Sequence, residues 1–303
     1  MATLARAFIG HASSPLADAV RDFLRHLAQR GASANTIAAY RSDLEQLAYF
    51  VETSRAGRGY SALDRAAVEE FVAGLKENGY RDASIARKVA AARSFFVFLA
   101  NEGALSADLT AGLSGPRVAR VLPQAVGTKH IARLLEQPAR RSTPEAKRDR
   151  AMLELLYATG VRVSELVSLD LDSVYLESKR PFVRCPGRRS DSRDVPMTRR
   201  CYEALVDYLE SARPLLAHDG DERALFMNRR GGRMTRQGFW FVLKGYARAV
   251  GDGVKITPHT LRHSFAAHKL GGGVPLRSVQ QMLGHSAPSS TRVYSRLVDR
   301  GQG

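Results

Sequence analysis

Two arginines, three histidines and one tyrosine hold the most reactive pattern in this chain. In "TPHTLRHSFAAHKL", Thr257 and Pro258 open a helix, and His259, Arg262, His263 and Ala266 fall three and four residues apart on one face. The two histidines have the spacing of the zinc-protease pattern HExxH, but Thr260 stands where the general base Glu would be. A guanidinium beside a dication is also unfavourable, so no metal is expected. A face that joins Arg to His suits a bound anion. Arg offers a planar fork of donors that matches phosphate oxygens, and His shares or transfers a proton near neutral pH. In "ATGVRVSELVSLDL", Gly160 permits a tight turn, Arg162 starts a short helix, and Glu165 lies three residues on, where it could hold the guanidinium. Taken alone, that pair is a surface ion pair of little worth. In "LGHSAPSSTRVYSRL", Gly284 lets the chain leave a helix, His285 follows, and Tyr294 comes nine residues later. A single tyrosine near the end of a chain ordinarily packs in a core. The alternative is a nucleophile, and these residues by themselves leave both readings open.

The rest of the chain has to position this set. Its 303 residues are enough for about two domains, and hydrophobic and charged fractions of 44% and 25% are those of a globular protein. No apolar run reaches the roughly 18 residues that span a membrane. The opening "MATLARAFIGHASSP" lacks the long apolar core of a secretory signal. Cys185 and Cys201 form no CxxC pair, and are read as reduced thiols of a cytoplasmic protein. Charge says more. Lys and Arg number 46 against 30 Asp and Glu, a net charge of +16. Residues 1–113 hold 13 basic and 12 acidic side chains, so nearly all the excess lies downstream. Such an excess attracts a polyanion, with nucleic acid the first candidate.

Four amphipathic helices are expected in the first half, over 15–30, 34–53, 64–79 and 83–101, with Asp64 as an N-cap and Gly31 and Gly79 as stops. The fourth carries Arg87, Lys88 and Arg93, which could track a phosphate backbone or form a solvated face. Residues 106–128 have small residues, two prolines and no sustained period, and read as a linker. The second half is mixed. Thr143 and Pro144 start a helix that Gly160 ends. Residues 172–198 read as a small antiparallel sheet with a long hairpin tip, and helices resume over 199–212, 235–250, 258–270, 276–283 and from 290 onward. In the helix over 235–250, Arg236, Gln237 and Lys244 are placed to enter a major groove, with Phe239, Trp240 and Val242 toward the core.

Arg162, His259-x-x-Arg262, Leu283-Gly284-His285 and Tyr294, in that order and spacing, resemble the tyrosine recombinases, most closely the bacterial Xer-type enzymes and related phage integrases. The resemblance covers nearly the whole chain. "ANTIAAYRSDLEQLAYF" and "ASIARKVAAARSFFVFLANEG" look like the family's helical core-binding module, and "RDRAMLELLYATGVRVSELVSLDL" like the start of its catalytic domain. It implies a mainly α fold with a small antiparallel β-sheet, arranged as a two-domain DNA clamp: a helical core-binding domain over 1–112, a linker over 113–127 and a catalytic domain over 128–303. It implies a site-specific recombinase that forms a 3′-phosphotyrosyl bond and passes through a Holliday junction, without metal or other cofactor. Tyr294 would be the nucleophile, Arg162 and Arg262 would neutralise the phosphate, His259 and His285 would assist, and Glu165 would support Arg162. The implied partners are double-stranded DNA and other protomers in a tetramer, a second related recombinase among the possibilities. One position departs from the pattern. The family usually sets a Lys in a Gly-Lys-Gly at the hairpin tip, and here Gly187-Arg188-Arg189 stands there, so Arg188 is the candidate for that role, with Arg189 and Lys179 the alternatives if the hairpin register differs. The same tyrosine chemistry without a partner DNA gives topoisomerase-like relaxation. A DNA-binding protein that has lost catalysis is the alternative from another class.

Overall fold

Ser14 accepts a hydrogen bond from the Ala17 N–H at 3.1 Å, and Pro15 occupies the first turn, which starts helix α1 (Pro15–Gln29). α2 (Ala34–Ser54), α3 (Arg65–Glu77) and α4 (Asp82–Asn101) follow, and Asp64 caps α3 through the Ala67 N–H at 2.7 Å. The computed structural model describes residues 14–54, 60, 63–105, 114–116, 125–186, 192–217, 223–251 and 253–284. The chain divides into two compact units, Met1–Arg120 and Val121–Gly303.

The first unit is helical. The apolar stripes of α1 to α4 close over a core that includes Phe23, Leu44, Leu47, Phe71, Phe95 and Phe96, with the Phe23 and Phe95 rings 5.5 Å apart. Asp43 is buried in α2 and accepts from Lys88 Nζ at 2.9 Å and from Arg87. This corrects one expectation. Lys88 is 6% exposed and neutralises a buried carboxylate, so its ammonium is spent inside the unit and does not face a phosphate. Arg87 shares Asp43 but stays half exposed, and Arg93 is exposed.

The second unit is built on α6 (Pro144–Thr159), reached through α5 (Thr128–Glu136), a helix absent from the sequence reading. α6 is buried along most of its length, with both α8 and α11 packed on it. It ends at Gly160, which is left-handed at φ 61°. A Cβ there would run into the Phe265 ring, so both conformation and space require glycine. After the short α7 (Val163–Ser168) come β1 (Val174–Tyr175), β2 (Phe182–Cys185) and β3 (Arg193–Pro196). They form one antiparallel sheet in the order β1-β2-β3, with Val183 opposite Val195 and Cys185 opposite Arg193. The helix expected over 199–212 is interrupted: α8 (Arg199–Asp207) passes through a π-turn at Tyr208–Ala212 into α9 (Arg213–Leu216). Pro214 lacks an N–H, which breaks the regular ladder there. α10 (Arg236–Val250), α11 (Pro258–Gly271) and α12 (Leu276–Leu283) complete the unit. On α10 the core residues are Phe239 and Leu243, whereas Trp240 is 41% exposed, a second correction. Trp240 lies one position past Phe239, about 100° round the helix, and so turns away from the core. Among the described residues no helix is long and apolar enough to cross a membrane.

Candidate active site

At the C-terminal end of α12 three arginines meet. A helix leaves its last carbonyls without intrahelical partners, and the aligned peptide dipoles make that end negative. Here three successive carbonyls are each met by a different guanidinium. Arg193 Nε donates to the Met282 carbonyl at 2.7 Å, Arg262 donates to the Leu283 carbonyl, and Arg162 Nη2 reaches the Gly284 carbonyl at a longer 3.3 Å. Arg262 also donates to the carbonyl of Gly160, so one side chain of α11 ties the end of α6 to the end of α12. Gly284 is left-handed at φ 61°, and a Cβ there would stand 2.9 Å from Arg193 Nη1.

Glu165 organises two of these cations. One carboxylate oxygen accepts the Arg162 backbone N–H at 2.8 Å and Arg193 Nη2 at 2.7 Å. The other accepts Arg162 Nη1 at 2.8 Å and Arg193 Nη1 at 3.2 Å. Burial opposes its ionisation, but the hydrogen bonds from Arg193 and Arg162 outweigh that cost and hold the carboxyl below the usual range. Exposure separates the three arginines. The Arg162 side chain is 44% exposed, that of Arg193 14%, and Arg262 is 6% exposed. Arg162 therefore presents its charge outward, while Arg262 and Arg193 sit behind it.

On α11, His259 is exposed in the first turn and His263 is half-buried one turn later, on either side of Arg262 in sequence. Burial, with the neighbouring His259 and Arg262, pushes the His263 pKa down to about 4, so this ring is neutral at pH 7. On α10, Arg236, Gln237 and Lys244 are exposed, and Lys244 Nζ lies 4.5 Å from the Trp240 ring centre. The structure thus brings together Arg162, Glu165 and Arg262. His285, Tyr294 and Arg188 lie outside the described residues. Arg193 was missed from sequence. Its signal was there: β3 alternates, and Arg193 shares a face with the buried Val195, an unusual place for a cation.

The family model described as phage integrase family matches residues 125–300, and that of the phage integrase N-terminal SAM-like domain matches residues 20–103. The chain belongs to the phage integrase family of tyrosine recombinases. It is 46% identical over 283 residues to tyrosine recombinase XerC of Roseiflexus sp. strain RS-1, covering 92% of this chain and 89% of that protein. It is 40% identical over 283 residues to tyrosine recombinase XerD of Listeria innocua serovar 6a, covering 93% and 94%. In fold it is similar to the XerH site-specific recombinase solved in a post-cleavage complex with palindromic difH substrate, with a TM-score of 0.79 at 18% identity over 97% of this chain and 96% of that one. This Xer-type tyrosine recombinase is a site-specific recombinase, mainly helical with a small antiparallel sheet, as its motifs implied.

Proposed function

We propose that this recombinase cuts DNA with Tyr294 as nucleophile. The phenolic oxygen bonds to the scissile phosphorus, the bond to the 5′-oxygen breaks, and that oxygen leaves as a hydroxyl after taking a proton. The phosphotyrosyl ester conserves the bond energy, so a 5′-hydroxyl of a second duplex reverses the step without ATP or other cofactor. Arg162 and Arg262 offset the charge that builds on the non-bridging oxygens. His259 and His285 hydrogen-bond the phosphate and handle protons. Arg188 takes the usual Lys position. A guanidinium holds its proton tightly, so it stabilises the developing alkoxide by charge more readily than by giving up a proton. The observation that carries this reading is the convergence of Arg162 and Arg262 on the Leu283 and Gly284 carbonyls, ten residues or so before Tyr294 in the chain.

Double-stranded DNA with a specific site is the substrate. Residues 1–112 and 128–303, joined by 113–127, form the two arms of a clamp on it. The exposed Arg236, Gln237 and Lys244 of α10 read or grip the duplex, with Arg87 and Arg93 of α4 on the phosphates. Complete exchange between two duplexes needs four cuts, and each protomer supplies one nucleophile, which favours a tetramer of this chain in the cytoplasm, on the chromosome. A duplex selected by the full chain from a random-sequence pool, then nicked just 3′ of the cut, tests the reading. The short 5′-hydroxyl fragment diffuses away and traps a covalent adduct that Tyr294→Phe abolishes. No adduct would favour a DNA-binding protein. An adduct with relaxation but no exchange would favour the topoisomerase-like activity, and exchange only on adding a second recombinase would make the tetramer mixed.

A further inference from the structure

We propose that Arg193 is a positioning residue for strand cleavage. It neutralises Glu165 so that the charge of Arg162 remains available to the scissile phosphate. The inference rests on the reading that Arg162 grips that phosphate.

Glu165 and Arg162 would otherwise form a self-contained pair, a poor device for binding an anion. The carboxylate is 11% exposed and sits 2.8 Å from Arg162 Nη1, where it cancels much of that charge. Arg193 changes the balance. It meets both Glu165 oxygens in the parallel two-bond arrangement that suits guanidinium and carboxylate, at 2.7 and 3.2 Å. Its Nε is used at the same time on the Met282 carbonyl at 2.7 Å. One planar side chain on β3 therefore fixes the Glu165 carboxylate of α7 against the end of α12. Glu165 can still orient Arg162 through the latter's backbone N–H and Nη1. Counting charges, one carboxylate stands among Arg162, Arg193 and Arg262. The cluster keeps an excess of positive charge, and Arg162 is its most exposed member. Arg193 itself already has an anion, because both its terminal nitrogens are on Glu165 and its Nε is on the Met282 carbonyl. A lysine would retain the charge but, as a point donor, could not span two carboxylate oxygens and a carbonyl in this way.

The test uses the full chain and the nicked substrate, with either a phosphate or a charge-neutral methylphosphonate at the cut position. Arg193→Ala should slow adduct formation on phosphate by about 100-fold, the order expected when a reacting group is slightly misplaced, and Arg193→Lys should recover only part of the rate. Adding Glu165→Gln to Arg193→Ala should raise the rate, because the uncompensated carboxylate is gone. The gap between wild type and Arg193→Ala should shrink on methylphosphonate, which makes less demand on guanidinium charge. Wild-type rates for Arg193→Ala, or a loss equal on both substrates and unchanged by Glu165→Gln, would overturn the inference and leave the recombinase reading standing. Failure of the wild type to form any adduct would remove both. If Arg193→Ala melts below the assay temperature, Arg193→Lys carries the same comparison.

Discussion

Arg262 illustrates how a single side chain proposed for the chemistry also serves the fold. Its spacing from His259 marked it as a phosphate ligand, and its burial shows a second task, since it holds the Gly160 and Leu283 carbonyls. Arg262→Ala should orphan both carbonyls and cost roughly 1–3 kcal/mol for each, read as a lower midpoint in thermal or denaturant unfolding. It should also reduce adduct formation by about 10² to 10³, as expected for the loss of a fixed donor to a developing oxyanion. A neighbouring residue gives a pH signature. His263 has a folded pKa of about 4 against an ordinary 6.5, so the unfolded chain binds more protons between these values. Its contribution to stability is complete above pH 6.5 and is lost as pH falls toward 4. His263→Asn should flatten that part of the unfolding-midpoint profile, and an unchanged profile would assign the dependence to other groups. Arg193 and Lys88 mark where residue-level reading stopped. One cation joined the site and the other left the surface, because their carboxylate partners, Glu165 and Asp43, are 28 and 45 positions away in the chain. Spacing along a single helix or strand carries no information about such pairs.

Elements were more legible than their faces. The stripes on α1 to α4, the Thr143–Pro144 start and the Gly160 stop of α6, and the Thr257–Pro258 start of α11 all rest on local chemistry, and all stand in the structure near their expected limits. α5 was missed because it lies just past a linker-like stretch, where its buried Ile131, Leu134 and Leu135 show less than three turns of period. The face of α10 was misjudged because Trp240 suggested burial by type alone. In the structure Trp240, 41% exposed, and Phe241, 59% exposed, accompany Arg236 and Lys244 on the solvent side. If that side grips DNA, Arg236→Ala should lower affinity and reduce the slope of log K against log salt by about 1. It should leave thermal stability nearly unchanged. An unaltered slope in a filter-binding or anisotropy titration would place α10 off the phosphate backbone.

At the scale of the whole molecule, charge and composition pointed to a polyanion before any motif was read. Four short motifs in order then narrowed this to one family, whose models match residues 20–103 and 125–300. Neither composition nor motif revealed that three guanidiniums share the end of α12, since this requires β3, α7, α11 and α12 to meet in three dimensions. That meeting is the physical core of the account: a concentrated positive charge, steadied by one carboxylate, a short stretch of chain before Tyr294. The most direct measurement is peptide mapping by mass spectrometry of the protein after trapping on the nicked duplex. The expected product is a nucleotide attached through a 3′-phosphate to the peptide that contains Tyr294. A nucleotide on any other residue, or a trapped complex that dissociates under denaturing conditions, would contradict it.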